Sequence, residues 1–151
     1  MVKRIVWMTF GDDFDPGRLQ ELIVEMGGQL DTTWTAWLQR DNSWVAVDIH
    51  PFVRRLPANA PRQEAAAYNE LHALLGSPPR HRATLHSPAT TAAEWLAAEI
   101  VLEAARHWPL LLYGYDEERI TIEQFERRVA RRTHGLFWSQ LSCPESGNGG
   151  G

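Results

Sequence analysis

A single cysteine, Cys143, and a single lysine, Lys3, occur among 151 residues. One thiol cannot form an intramolecular disulfide, which points to a reducing compartment and a cytoplasmic location. The thiol precedes Pro144-Glu-Ser-Gly-Asn-Gly-Gly-Gly151, read as a disordered tail over 143–151 in which nothing would activate it, so nucleophilic chemistry is not expected there. The apolar N-terminal run from Ile5 to Phe10 stops at Gly11-Asp12-Asp13. It is too short to span a membrane and lacks a small-residue cleavage site, so neither a membrane anchor nor a secretion signal is expected. The formal net charge of −4 provides no broad attraction to phosphate backbones or anionic lipid. No serine lies in G-x-S-x-G, and the glycines do not assemble into G-x-G-x-x-G or a phosphate loop. No catalytic motif, cofactor or metal is therefore expected, and the chain reads as a non-enzyme.

What is present suits a folded core: 44% hydrophobic residues, 10% aromatics and seven tryptophans. Residues 1–142 are of a size for one domain. Basic charge that is almost all arginine, with abundant alanine, suits a GC-rich, bacterial genome. Arg4 to Phe10 is apolar on both alternating faces, as a central strand would be. Asp15-Pro16 then gives an N-cap and a first-turn proline for a helix with Leu19, Leu22, Ile23 and Met26 on one face, ended by Gly27-Gly28. Thr33–Leu38 and Trp44–Ile49 predict a hairpin turning at Asp41-Asn42. After a proline-rich crossing from His50 to Pro61, a helix is expected over Arg62–Leu75, with Ala67, Leu71, Leu74 and Leu75 on one face. Arg80–His86 alternates as a half-buried strand. Thr91-Ala-Ala-Glu94 fits a capping box opening the longest helix, which runs to about His107 with Ala93, Leu96, Ala97, Ile100, Val101 and Ala104 as its stripe. Leu110–Tyr113 reads as a buried strand, Gly114–Arg119 as a polar turn, and Thr121-Ile-Glu-Gln124 as the cap of a last helix closed by His134-Gly135. The expected fold is α+β, with two layers. A mixed or antiparallel sheet of about five strands packs against three to four helices, chiefly those starting at Pro16 and Thr91.

Several groupings of polar side chains bear on chemistry. Glu99, Glu103 and His107 recur every four residues and would line one side of a helix, yet bundle metal sites use Glu-x-x-His on more than one helix. A solvated face with favourable helix pairs is the plainer account. Asp12 and Asp13 follow a strand end but lack calcium-loop spacing, and Asp15 is occupied as a cap. The six histidines show no zinc spacing; His81 and His86 should face opposite sides of their strand. Arg127, Arg128, Arg131 and Arg132, read as largely outward, form the one basic patch. Trp34, Trp37 and Trp44 crowd one hairpin. With Trp34 and Trp37 on opposite faces, either one belongs to a contact surface or a second helical layer covers the sheet.

The stretch from Glu94 through Arg106-His107-Trp108-Pro109 and Leu110-Leu-Leu-Tyr113, then an acidic turn and Arg119-Ile-Thr-Ile-Glu-Gln-Phe125, resembles a helix, strand, hairpin, helix module of small bacterial immunity-like proteins from polymorphic toxin systems. The resemblance covers about a third of the chain and rests on packing features. It implies a cytoplasmic protein that neutralises a toxin by binding it, and it carries over no functional residue. The expected function is accordingly a non-catalytic partner-binding protein of this immunity type. An acidic surface would suit a basic toxin active site. The expected contact residues are Asp12, Asp13, Trp37, Tyr115, Asp116, Glu117 and Glu118. A protein partner such as a cognate toxin is expected; a homodimer stays open, and nucleic acid is disfavoured. The alternatives are a metal-dependent enzyme using Glu99, Glu103 and His107, or a regulatory nucleic-acid-binding protein using the arginines of the last helix.

Overall fold

In the computed structural model of the protein, residues 3–52, 62–133 and 135–138 are described. Cys143, the tail over 143–151, His134 and most of the crossing segment before Pro61 lie outside them. The first strand, β1 (Lys3–Phe10), is central, as its two apolar faces predict. It pairs antiparallel with β5 (His81–Pro88) on one side and β6 (Leu110–Tyr113) on the other. Beyond β5 come β4 (Ser43–Pro51), β3 (Thr35–Arg40) and β2 (Gln29–Thr32), and beyond β6 lies β7 (Arg119–Ile120). Among the described residues the sheet is thus seven-stranded, in the order β2-β3-β4-β5-β1-β6-β7, and every pairing is antiparallel. The expected five strands become seven because the outermost two are too short and too exposed to display an alternating pattern.

Residues opposite one another in antiparallel strands share a face. One row therefore runs Ala36, Val47, Leu85, Val6 and the next Ile49, Ala83, Met8, Leu112, Ile120, all essentially inaccessible. This face is covered by α1 (Pro16–Glu25), α3 (Thr91–His107) and α4 (Ile122–Ala130), whose inward residues join the same core. Each fully buried Leu, Ile, Val, Met or Phe contributes about 1.5–3 kcal/mol relative to exposure. All six predicted stripe residues of α3 are buried. The fold is α+β. The fourth helix, α2 (Arg62–Leu75), occupies its expected span but contacts β6 on the opposite face, where Ala67 and Leu71 border a cleft of about 320 Å³ with Trp7, Arg82 and Tyr113.

Three local expectations are corrected. The cap of α3 is Thr90, whose hydroxyl accepts from Ala93 N at 3.2 Å; Thr91 is the first helical residue. Glu94 consequently lies one position too deep to close a capping box. Its carboxylate instead accepts from the Tyr115 hydroxyl at 3.0 Å and from Leu136 N at 3.3 Å. Trp34 lies in the turn before β3 rather than on the strand, so the face argument applied to it does not hold. Arg128, read as outward, is buried with 7% exposure, and donates to the carbonyls of Leu136 (3.1 Å) and Trp138. The capping box at Thr121 and Gln124 and the Asp15 cap with Pro16 at the helix start are as expected.

Candidate functional site

Among the described residues the sheet ends at β2, and what brings β2 there is the way α1 stops. Gly27, at φ +104°, follows the C-cap Met26; its N–H donates to Val24 O and that of Gly28 to Ile23 O, both at 2.9 Å. This Schellman pattern satisfies the last helical carbonyls and reverses the chain. Gly28 is needed for a second reason: any Cβ there would collide with the carbonyl oxygen of Trp37 and with Ile23. The chain then enters β2, exposed at all four positions and paired on one side with β3. A register shift between Leu30 and Thr32 leaves Asp31 as the extra residue.

Apolar side chains collect along this edge. Val24 (44% exposed), Leu30 (56%), Trp34 (50%) and Trp37 (37%) are four of the exposed large hydrophobic residues among those described, the others being Leu74 and Trp138. Leu30 shares the helix-covered side with Ala36, whereas Trp37 stands on the other face, so apolar groups flank the edge strand on both sides. Trp37 is held by the Trp44 ring at 5.2 Å between centroids, and its Nε1 lies 3.4 Å from Asp31 Oδ2. A groove of about 530 Å³ runs beside β2, walled by Trp37, Leu30 and Gln39, with carboxylates from Asp31 and Asp41. Among the described residues no basic side chain lines it. Asp41 occupies the β3–β4 turn at φ +56°, a conformation its short polar side chain tolerates.

The other expected contact residues are not drawn together. Asp12 follows the end of β1, where it pairs with Arg80 at 2.5 Å and its N–H donates to Ser77 Oγ at 2.9 Å; Asp13 beside it is exposed. Tyr115 lies toward the opposite end of that strand, beside Arg4, while Glu117 stands nearer its middle, lining the α2 cleft with Trp7. Tyr115 is half-buried under the Arg4 guanidinium, 4.8 Å from its ring, and packs edge-on against Trp138. Burial and the neighbouring Glu94 carboxylate push its phenol well above the ordinary range. Asp116, Glu117 and Glu118 are exposed on the turn, with Glu117 at φ +64° and bordering the α2 cleft. Of the seven, Trp37 alone belongs to the β2 edge. Val24, Leu30, Asp31 and Asp41 were missed, since Gln29-Leu-Asp-Thr carries too little apolar pattern to announce a strand; Trp34 was named among the crowded tryptophans but not among the expected contact residues. Its one signal was a polar run placed directly before a tryptophan.

The helical carboxylate line is engaged elsewhere. Glu99 pairs with Arg40 at 2.6 Å, Glu103 with Arg106 at 3.2 Å, and His107 Nδ1 lies 3.0 Å from the Glu103 carbonyl. Among the described residues no group of three or more His, Cys, Asp or Glu side chains is placed to hold a metal ion, and no helix is long and apolar enough to cross a membrane. His81 and His86 do face opposite sides: the His81 ring lies 5.5 Å from the Phe14 ring, tilted against it, on the helix-covered face, while His86 Nε2 lies 3.1 Å from Asp48 Oδ2 on the other face. No protein-family model matches the chain, and no curated protein or solved structure matches it either.

Proposed function

We propose that the chain is a non-catalytic partner-binding protein, of the toxin-neutralising immunity type, acting in the cytoplasm through a contact surface centred on the β2 edge. The observation that carries this reading is the concentration of exposed apolar side chains, two of them tryptophans, around the edge strand β2, which among the described residues pairs on one side alone. Large exposed apolar groups mark interaction surfaces, and tryptophan is enriched among residues that dominate binding energy. Trp37 is braced by Trp44, so little side-chain freedom is lost on contact. The order α3, β6, β7, α4 is that of the immunity-like module, which supports the class assignment.

The test is binding and neutralisation of the product of a toxin-domain gene adjacent to this one. The wild-type chain should bind it and restore growth. Trp34→Ala with Trp37→Ala should lose at least about 2 kcal/mol of binding, a thirtyfold weaker Kd, while keeping its unfolding midpoint. Full binding by the double variant would remove this surface from the reading.

A further inference from the structure

We propose that the β2 edge recognises its partner by strand addition, taking up an extended basic segment that becomes the eighth strand of the sheet. This rests on the partner-binding reading and specifies how that binding is achieved. An edge strand presents a row of backbone donors and acceptors that a second extended chain can satisfy, with alternate side chains entering flanking pockets. Here the flanks are apolar on both faces, Leu30 on one and Trp37 on the other, and the groove beside Trp37 provides room for alternate side chains. At the other edge of the sheet, β7 has two residues, too few to template a strand.

Charge selects the occupant. The groove contains the carboxylates of Asp31 and Asp41 without a basic partner among its lining residues, and the Trp37 ring offers a face to a cation. Lysine or arginine side chains at alternate positions of an added strand would meet both. A second copy of the chain would not. Antiparallel pairing of two Gln29–Thr32 segments brings the bulged Asp31 carboxylates near each other, and like charges across a pair are destabilising. The acidic residue in mid-edge therefore disfavours self-pairing while attracting a basic strand.

The experiment uses the full chain and a capped Lys-Val-Lys-Val-Lys-Val peptide, with a glutamate counterpart in place of lysine and a version carrying proline at the fourth position. Amide exchange and indole resonances are followed by NMR. The lysine peptide should slow exchange of amides within Leu30–Thr32 by about tenfold or more and shift the Trp37 indole, with neither effect from the two controls. Asp31→Lys should abolish the response to the lysine peptide and leave the unfolding midpoint unchanged. A shifted Trp37 indole with unprotected β2 amides would overturn strand addition and leave the partner-binding reading standing. Equal protection by the glutamate peptide would overturn the charge selection. A dimer of the chain alone, protected at the same amides, would replace the basic segment with a second copy. No response to millimolar lysine peptide, while the wild-type chain still neutralises its toxin, would overturn the strand mechanism alone. Loss of neutralisation as well would remove the broader reading.

Discussion

Two side chains show how far burial departs from residue type. Arg128 looks in the sequence like one of four equivalent arginines, but the helical phase of α4 turns it inward while Arg127, Arg131 and Arg132 stay exposed. There it donates to the carbonyls of Leu136 and Trp138 and so fastens a segment whose Leu136 and Phe137 are completely buried. Hydrogen bonds from a charged donor contribute about 1.5–3 kcal/mol each, so Arg128→Ala should lower unfolding free energy by about 2–4 kcal/mol. Arg127→Ala and Arg131→Ala should each stay within about 0.5 kcal/mol, as exposed positions do, and urea titration compares the three. His81 is the second case. Its Nδ1 is buried with no hydrogen-bond partner among the described residues, and burial, aided by Arg80, holds the imidazole below its ordinary value of 6.5. Below pH 6.5 the unfolded chain then binds more protons than the folded one, so this residue's contribution to stability is present above that pH and declines as pH falls. His81→Phe should flatten the decline between neutral and mildly acid pH, because a phenyl ring keeps the tilted ring contact with Phe14 and has no proton to take up. An unchanged pH profile would show that another group sets it.

At the scale of elements, what was legible depended on length and periodicity. β1, α1, α2 and α3 each carry enough apolar repeats to fix both type and extent, β4 enough to fix its type although it runs on to Pro51 into the stretch expected as a crossing, and the Pro16 and Thr121 starts announce themselves by capping chemistry. β2 and β7 were not legible: strands of four and two residues are defined by what they pair with, and pairing is not written in their own composition. The misplaced cap of α3 has a related cause. Thr90 and Thr91 are adjacent and chemically alike, and the capping-box spacing to Glu94 favoured the wrong one, although Glu94 is committed to Tyr115 and Leu136. Only Thr90 accepts from the backbone of the first turn. Thr90→Ala should therefore destabilise the fold by about 1 kcal/mol, while Thr91→Ala, at the first helical position, should be close to neutral. Thermal unfolding of the two variants separates them, and equal losses would mean that both hydroxyls cap. The candidate site was legible only at its tryptophans, Trp37 as an expected contact residue and Trp34 through the same crowding, since exposure of a tryptophan on a β-prone run can be suspected from crowding. Their neighbours Val24 and Leu30 come together with them through the Schellman turn and the β2 pairing, neither of which leaves a period to read.

Across the whole molecule, the arrangement of strands determines which acidic groups can act together. The groove carboxylates Asp31 and Asp41 lie at the β2 end of the sheet, and Asp116, Glu117 and Glu118 at the β7 end. Six inter-strand steps of roughly 4.8 Å put about 29 Å between these ends. The screening length at physiological ionic strength is about 8 Å, so the two clusters are electrostatically independent there. A net charge of −4 summed over the chain therefore overstates what any one partner meets. If a basic strand docks at β2, replacing Asp31 and Asp41 by lysine should slow association of the Lys-Val peptide roughly tenfold at low salt and flatten its salt dependence. Replacing Asp116, Glu117 and Glu118 by lysine changes the net charge by more, yet should leave that rate within a factor of about two at physiological salt, because the field of the turn is screened before it reaches the groove. Stopped-flow tryptophan fluorescence measures both, with Trp37 as the reporter. An equal slowing by the two sets would mean that association follows total charge and that the groove has no privileged part in it.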